Sequence, residues 1–504
     1  MPSLSGSALL PDRVPFEGRV YSATLIGSEY VITSTNLDGS GQVDYHTGGI
    51  VVTRPTLAAN DDRTLLVVYG ANASGQLYMI GKKAGQNWTG WVYLGDGVID
   101  QPQAYGGRVG VGVTVTRTDY QRWTKTTTDG LGQDNWSLNN GMLIPLGTNS
   151  LLPNYAPTQD TDLSYLHPRV QRVRMYMDGT NLCCSEMPRF TWNDLNRLHD
   201  NGVRIMIINL SEAITDTGRF ERQIGVGPQA INIGGGTILG WARAHSDTMV
   251  ILEVGNESDQ VYATYGTDYY NPWNTRWRAL DIADDWNNTQ QHSDGQTYSL
   301  KLTNKNVEIM ISLPTINGYA YQHDEDYFLA FTGDTGDGRG RVGDKYRHVG
   351  VHVYSNGCLL RTDNIYDHSV MRILDLAKQA TNGGVYITES AINSHNMDPD
   401  NYAYIRNVLV PRYNQPDPLN GYANARWAEL GRRYVNALTA FDNIDGRVKG
   451  VTFFQDFHGG TYGPGSTEPY NIDDGNTTGQ HAHWAMGNRI GSIDCVAPAN
   501  VNSR

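Results

Sequence analysis

The chain has 504 residues and a formal net charge of -13 at pH 7. This acidic balance argues against nucleic acid or an anionic membrane surface as the natural partner, because phosphate binding depends on clustered Lys and Arg side chains. The aromatic residues comprise 30 Tyr, 11 Trp and only 9 Phe, a mixture that suits sugar-binding surfaces and β-rich cores equally well.

Neither the cysteines nor the acidic loops predict a metal site. The four cysteines form no CxxC pair and are too sparse for a disulfide-stapled fold. The acidic loops 36–44 and 334–338 offer oxygen ligands, but neither matches the complete calcium loop of an EF-hand, so turn formation is the favoured interpretation. We therefore expect no cofactor and no metal.

No segment has the pattern of a targeting or membrane-spanning sequence. Prolines and acidic residues interrupt residues 1–20, and no later run reaches the roughly 20 apolar residues of a membrane span. The pattern predicts a soluble protein without membrane insertion. An extracellular, virion-associated or cell-surface location is the expectation, although a cytoplasmic one stays open.

The first 140 residues are predicted to form an all-β domain for binding or attachment. Short β-branched runs alternate with Gly, Asn and Asp turns. The stretches 55–94 and 102–136 echo one another with a period of about 45 residues, and this repeat resembles those of bacterial propeller lectins. About three blades would fit, fewer than a closed propeller needs, so a small sandwich or barrel is an equal alternative.

Residues 141–504 change to apolar strands that alternate with amphipathic helices, which predicts a (β/α)₈ TIM barrel. A doubly wound open sheet is the alternative, although no glycine-rich nucleotide fingerprint follows an early strand. The predicted helices include 192–200, 238–245, 368–379 and 423–441. The predicted strands are Met142–Leu146, Val170–Met177, Val203–Asn209, Met249–Gly255, Val307–Leu313, Val349–Tyr354, Gly384–Thr388 and Val448–Phe454.

Polar residues at the ends of these strands point to one site, because the loops of a (β/α)₈ barrel converge at the C-terminal ends of its strands. Asn256 and Glu257 follow the fourth strand, and Glu389 ends the seventh. Arg174 lies on the second strand, and the sixth carries His352 and Tyr354.

This set resembles the (β/α)₈ retaining glycoside hydrolases called clan A, which include cellulases, β-mannanases and β-xylosidases. The resemblance implies that Glu257 is the general acid/base and Glu389 the nucleophile. Arg174 and Tyr354 would favour the ionised form of Glu389. Asn256 would bind the sugar 2-hydroxyl.

Further substrate-binding candidates are ranked lower. They are His352, Asn209, Trp273, Tyr319 and Phe454, the last being a substitute for the Trp that the family usually places on the eighth strand. Packing explains each single aromatic residue as well as sugar stacking does.

Two other interpretations stay open. Arg174 and the carboxylates could form only a structural ion-pair network at the barrel opening. The whole chain could be a non-catalytic carbohydrate-binding or structural protein of a cell or virion surface, built on a glycosidase-like barrel. The expected partner is a carbohydrate in either case, and assembly into a homo-oligomer or particle stays open.

Overall fold

The structure is a computed structural model that describes residues 9–107, 110–128, 131, 136–138, 146–150, 168–175, 188, 190–210, 216–266, 268–315, 323–355, 370–392 and 446–454. It has a mixed α/β fold, in which a parallel barrel follows a set of separate antiparallel sheets. The expected combination of a parallel barrel and an all-β region is confirmed.

The all-β region consists of three four-stranded antiparallel sheets, and neighbouring strands pair in chain order within each. The sheets begin at Arg13, Thr56 and Gln103, so the predicted repeat of about 45 residues corresponds to one sheet. The strands are β1 Arg13–Phe16, β2 Arg19–Ile26, β3 Glu29–Asn36, β4 Val43–His46, β5 Thr56–Ala59, β6 Leu65–Ala71, β7 Leu77–Lys83, β8 Val92–Gly95, β9 Gln103–Gly106, β10 Gly110–Thr116, β11 Arg122–Thr128 and β12 Ser137–Leu138.

The middle sheet packs face to face against both of its neighbours. Strand β6 is buried along its whole length, since its alternate side chains enter different cores. Leu65 and Val67 pack with the third sheet, whereas Leu66 and Val68 pack with the first. This explains why its sequence is continuously apolar rather than alternating.

The barrel is built from parallel strands that pair in sequence. Seven of them form one continuous curved sheet, and β13 pairs with the strands at both of its ends. A small antiparallel hairpin interrupts the series between the fourth and fifth barrel strands. The barrel strands are β13 Leu146–Ser150, β14 Val170–Arg174, β15 Ile205–Asn209, β16 Met249–Val254, β19 Val307–Ser312, β20 His348–Ser355, β21 Gly384–Ile392 and β22 Val448–Phe454, and the hairpin strands are β17 Gln290–Gln291 and β18 Thr297–Tyr298.

Helices cover the outside of the barrel and bury their apolar faces against it. Local capping sets their starts, as at residue 192, where Thr191 and Asp194 form a reciprocal capping box. The helices are α1 Trp192–Asp200, α2 Thr217–Ile224, α3 Ile238–Ala244, α4 Ser258–Tyr265, α5 Pro272–Asn287, α6 Leu300–Thr303, α7 His323–Thr332, α8 Val342–Lys345 and α9 Val370–Ala380, with a 3₁₀ turn at Asp268–Tyr270.

Most predicted bounds lie within a few residues of the observed ones. The first barrel strand is the exception, because it begins at Leu146, where the prediction ended. The predicted helix 423–441 lies outside the described residues. Within the described part of the chain, no helix is long and apolar enough to cross a membrane.

The interior of the barrel is layered. A buried apolar layer contains Val170, Ile207, Ile251, Met310 and Tyr386. Charged side chains lie on both sides of it, towards the N-terminal ends of the strands (the floor) and towards their C-terminal ends (the mouth). The apolar layer therefore separates two charged regions of the same barrel.

The antiparallel sheets contact the floor of the barrel. Arg13 forms an ion pair with Glu308 at 3.1 Å, and Lys449 lies 2.8 Å from Asp12. The first strands of all three sheets line a cavity of about 160 Å³ together with residues at the N-terminal ends of the barrel strands. The mouth faces away from this junction, since it lies at the other end of the same strands.

Candidate active site

Arg172 is the centre of the hydrogen-bond network at the mouth. Its side chain is fully buried. It donates to Glu253 at 2.5 Å, to Glu389 at 2.5 Å and to Oδ1 of Asn256 at 2.8 Å. One guanidinium group therefore fixes three side chains by charge-assisted hydrogen bonds.

Strand periodicity and register bring the partners to one level. Arg172 and Arg174 lie two residues apart on β14 and so share a face. Arg174 pairs in register with Asn209 on β15, which in turn pairs with Glu253 on β16. These strands thus present polar side chains above the apolar layer.

Glu389 is placed by an irregularity in β21. Ile387 pairs with Val351 on β20, but the next pair joins Glu389 to His352, so Thr388 is an extra residue. Such a bulge re-aims the side chains that follow it. Glu389 is only 2% exposed and contacts both Arg172 and Arg174.

Glu257 occupies a strained turn between β16 and α4. Gly255 and Glu257 both have positive φ angles, of 78° and 44°. The left-handed conformation costs a non-glycine residue roughly 1–3 kcal/mol. Glu257 also precedes the first turn of α4 without capping it; instead its Oε1 lies 2.9 Å from Nδ1 of His352.

The two carboxylates are close together but differ in their surroundings. One oxygen of Glu257, one of Glu389 and a ring nitrogen of His352 all lie within 4.8 Å of one another. Glu389 is nearly buried between two arginines, whereas 28% of the Glu257 side chain is exposed. Glu257 is therefore the more accessible of the two to a ligand.

Neighbouring charges determine the protonation of the unliganded site. Burial raises the pKa of Glu257, but hydrogen bonding to His352 and the nearby arginines outweigh it, so the net pKa lies below its ordinary value. Burial lowers the pKa of His352, although Glu257 opposes this. Free Glu257 is therefore ionised near neutral pH.

Asp259, two residues after Glu257, is a further acidic group beside the mouth. Its carboxylate accepts hydrogen bonds from the Thr315 amide at 2.9 Å and the Thr315 hydroxyl at 2.5 Å. Burial, with a smaller contribution from the charge of Glu257, raises the pKa of Asp259 to about 7. Asp259 thus holds the start of α4 against the loop after β19.

A metal ion is not the best explanation of the carboxylate pair. Glu257, His352 and Glu389 have suitable donor atoms close together. However, Arg172 and Arg174 already contact Glu389, and their positive charge opposes a cation at that position.

The predicted site residues fall into three groups: those that meet at the mouth, those whose side chains lie elsewhere, and those whose side chains lie outside the described part of the chain. Arg174, Asn256, Glu257, His352 and Glu389 come together at the mouth. Asn209 is 1% exposed and donates to Gly255 O at 2.8 Å and to Glu253 at 3.0 Å, so its amide supports the turn. Trp273 is half-exposed in the first turn of α5, and no described contact joins it to the carboxylates.

The other three candidates cannot be placed by their side chains. Tyr319 lies outside the described residues, and Tyr354 and Phe454 lie within β20 and β22, with their side chains outside the described part.

Sequence reasoning missed Arg172 and Glu253. The signal for Arg172 was its position two residues before Arg174, on the same strand face. The signal for Glu253 was a single charge inside an otherwise apolar strand, which burial permits only when the charge is paired.

No protein-family model matches the chain, and no curated protein does. Among solved structures, a GH2 β-galacturonidase from Eisenbergiella tayi is 11% identical over 95% of this chain and 72% of its own, with a TM-score of 0.33. A β-glucosidase from Exiguobacterium marinum is 10% identical over 68% of this chain and 98% of its own, with a TM-score of 0.36.

The chain also aligns with the NanB sialidase from Streptococcus pneumoniae, at 12% identity and a TM-score of 0.20. That alignment covers 24% of this chain and spans only 22% of the length of the sialidase. Several of the structural neighbours are glycoside hydrolases. TM-scores this low carry no argument, so the functional conclusion depends on the site itself.

Proposed function

We propose that the protein is a retaining glycoside hydrolase that cleaves β-glycosidic bonds in a poly- or oligosaccharide, on a (β/α)₈ barrel of the clan A type. The observation that carries the proposal is the pair Glu257 and Glu389, with oxygens within 4.8 Å and unlike surroundings. Retaining enzymes keep their carboxyl groups about 5–5.5 Å apart, whereas inverting enzymes need roughly 6.5–9.5 Å to admit a water molecule.

Glu389 has the surroundings of a nucleophile. Its contacts with Arg172 and Arg174 favour the ionised form. In the first step a Glu389 oxygen bonds to the anomeric carbon as the bond to the leaving oxygen breaks. Glu257 donates a proton to that oxygen, so the leaving group departs as a neutral alcohol.

The second step reverses the role of Glu257. As a carboxylate it removes a proton from water while the water oxygen attacks the anomeric carbon, and Glu389 is released. The contact with His352 Nδ1 at 2.9 Å orients Glu257 for both steps. His352 is thus a positioning residue in this proposal.

Substrate must raise the pKa of Glu257 before the first step, because the free carboxyl is ionised near neutral pH. A sugar that covers its exposed 28% adds to the desolvation that already acts in this direction. We expect the kcat profile, which reports the complex, to show a higher acid pKa than the kcat/KM profile, which reports the free enzyme.

Asn256 is a candidate for substrate contact. Arg172 donates to its Oδ1 at 2.8 Å, so the amide NH₂ is oriented away from that guanidinium. A donor at this position is available for the sugar 2-hydroxyl, where hydrogen bonds that strengthen in the transition state accelerate hydrolysis.

The test compares the wild-type protein with Glu389→Gln and Glu257→Gln on a panel of aryl β-glycosides and polysaccharides. Glu389→Gln should lose several orders of magnitude in kcat. Glu257→Gln should lose about 10²–10⁴-fold on polysaccharides, but much less on aryl glycosides whose leaving group needs no proton. Glu308→Gln, which removes a buried glutamate at the floor, is the matched control.

The anomer formed first, observed by NMR, tests the stereochemistry. Retention is expected, and inversion would overturn the double-displacement mechanism. Binding without release of sugar by the wild-type protein would favour the non-catalytic carbohydrate-binding alternative.

A further inference from the structure

A second cluster of titratable residues shares no residue with the mouth. Glu221 on α2, Asp285 on α5 and His292 in the β17–β18 hairpin come together, with donor atoms that all lie within 4.8 Å of one another. Their side chains are 7%, 4% and 0% exposed. Three separate elements thus direct buried ligating groups to one point.

The hydrogen bonds of His292 fix which ring nitrogen carries hydrogen. Its Nε2 lies 3.0 Å from the carbonyl oxygen of Tyr298, and a carbonyl can only accept, so Nε2 is the donor. Its Nδ1 also faces only acceptors, Glu221 Oε1 at 2.7 Å and Asp285 Oδ1 at 3.5 Å. Nδ1 therefore either carries a second proton or binds a metal ion through its lone pair.

No described ion pair joins either carboxylate to a lysine or an arginine. Glu221 Oε2 accepts from the Ser293 amide at 2.9 Å, and Asp285 Oδ1 accepts from the Gln290 side chain. Asp285 Oδ2 is buried with no hydrogen-bond partner. Among the described ion pairs of Glu221 and Asp285, His292 is the sole partner. Two buried carboxylates and one imidazole nitrogen at this spacing must therefore share either protons or a metal ion.

We propose that Glu221, Asp285 and Nδ1 of His292 bind a divalent transition-metal ion of the Zn²⁺ class. One imidazole nitrogen and two carboxylate oxygens are ligands of the type that such ions take. The supporting contacts are also those of a metal site, since ligating histidines commonly donate their other N–H to a backbone carbonyl and ligating carboxylates are themselves hydrogen-bonded. Zinc–ligand distances of about 2.0–2.2 Å hold tetrahedral donor atoms roughly 3.3–3.5 Å apart. Glu221 Oε1 must therefore move away from His292 Nδ1, which lies 2.7 Å from it, whereas Asp285 Oδ1 at 3.5 Å is already at a suitable distance.

The hairpin turn gives an entry route and indicates a role. Residues 293–296 are exposed, so opening the turn admits an ion. The bound ion would join this hairpin, which has only two residues in each strand, to α2 and α5. The site is thus proposed to be structural and independent of hydrolysis.

The test measures zinc retention by the full chain. Protein treated with a chelator, loaded with ZnCl₂ and gel-filtered should retain about one equivalent of zinc by elemental analysis and melt several degrees higher than the stripped protein. His292→Gln and the isosteric Asp285→Asn should each lose this zinc and the stabilisation. His199→Gln is the matched control, because His199 also contacts a carboxylate, Asp247 at 3.0 Å, but at a partly exposed position.

Several outcomes would overturn the proposal. If the wild-type protein does not retain zinc, protons rather than a metal ion satisfy the cluster. If folded His292→Gln or Asp285→Asn retains as much zinc as the wild-type protein, the ion binds elsewhere. Should both variants fail to fold, zinc-edge X-ray absorption of the wild-type protein decides. A shell of imidazole and oxygen supports the proposal, whereas a sulfur ligand excludes it.

Discussion

The two ends of the barrel contain similar residues in different arrangements. At the floor, Glu308 contacts Arg13 at 3.1 Å, Arg347 at 3.4 Å and His348 at 2.5 Å. At the mouth, Glu389 contacts Arg172, Arg174 and His352. Both clusters combine a buried glutamate with two arginines and a histidine, and both histidines belong to β20.

The balance of charge distinguishes the ends. In the cluster around Glu308, one carboxylate contacts two guanidinium groups. At the mouth Glu253 and Glu257 join Glu389, so three carboxylates face two guanidinium groups. A surplus of negative charge suits an oxocarbenium-like transition state. We infer that the floor cluster holds the sheets and barrel together, whereas the additional carboxylates serve the chemistry proposed for the mouth.

The largest expected difference is in rate. Glu389→Gln should reduce kcat by several orders of magnitude, because it removes the carboxylate that is proposed to attack the anomeric carbon. Glu308→Gln should leave kcat within about twofold for the folded protein, because the apolar layer separates Glu308 from the mouth. The measurement is hydrolysis of the same aryl β-glycoside by both variants. Equal losses in both would mean that the two clusters do not have separate roles.

The next effect is on stability. Glu308→Gln should lower the free energy of unfolding by about 3–5 kcal/mol, since removing one partner of a buried ion pair leaves charge uncompensated. Urea unfolding measures this change. A loss below about 1 kcal/mol would show that the floor cluster contributes little to the junction.

The two ends should also respond to pH in opposite directions. Burial raises the pKa of Glu308, but Arg347, His348 and Arg13 outweigh it and hold the pKa well below its ordinary value of 4.5. The stabilisation from Glu308 is therefore present above pH 4.5 and is lost as the pH falls towards its folded pKa. Unfolding midpoints between pH 3 and 7 should show a flatter acid limb for Glu308→Gln than for the wild-type protein.

The stabilisation from Asp259 depends on pH in the opposite direction, because burial raises the pKa of this carboxyl to about 7. Its contribution is complete below the ordinary value of 3.8 and is lost as the pH rises through about 7. Asp259→Asn should therefore show a smaller decrease in the free energy of unfolding than the wild-type protein as the pH rises between these two values, measured by urea unfolding. An unchanged slope in this variant would contradict the raised pKa.

The smallest effect concerns the strained turn. Glu257→Gly should raise the free energy of unfolding by about 1 kcal/mol, since glycine adopts positive φ without a steric cost, while hydrolysis of polysaccharides falls by about 10²–10⁴-fold. Glu257→Ala, which keeps the strain, is the control for loss of the carboxylate. A lower stability of the glycine variant would indicate that the contact with His352 outweighs the strain.

The sequence predicted those parts of the site that follow directly from strand ends. Glu257 and Glu389 were identified because each terminates an apolar run. The central role of Arg172 was missed, because the choice between Arg172 and Arg174 depends on which level of the barrel each one reaches. The register between strands sets that level, and it involves residues far apart in the chain.

The same limit applies to the fold. The apolar side chains of residues 142–146 favoured a strand there, but pairing with β14 and β22 places β13 at Leu146–Ser150. The repeat of about 45 residues left room for about three blades, with a small sandwich or barrel as an equal alternative. The structure has three sheets, and their contact with the barrel floor depends on individual ion pairs. Those pairs join residues as far apart as Asp12 and Lys449, beyond the reach of local patterns.

The extra residue in β21 has a consequence for the whole strand. Tyr386 points into the barrel, whereas Val385 and Ile387 point towards the helices. With strict alternation Glu389 would follow Ile387 outwards. Thr388 is an extra residue, so the alternation of inward and outward side chains shifts by one position after it. Tyr386 therefore points inward before the bulge and Glu389 points inward after it. One strand thus directs an apolar side chain into the buried layer and a charged side chain to the mouth, which strict alternation would not allow at these two positions.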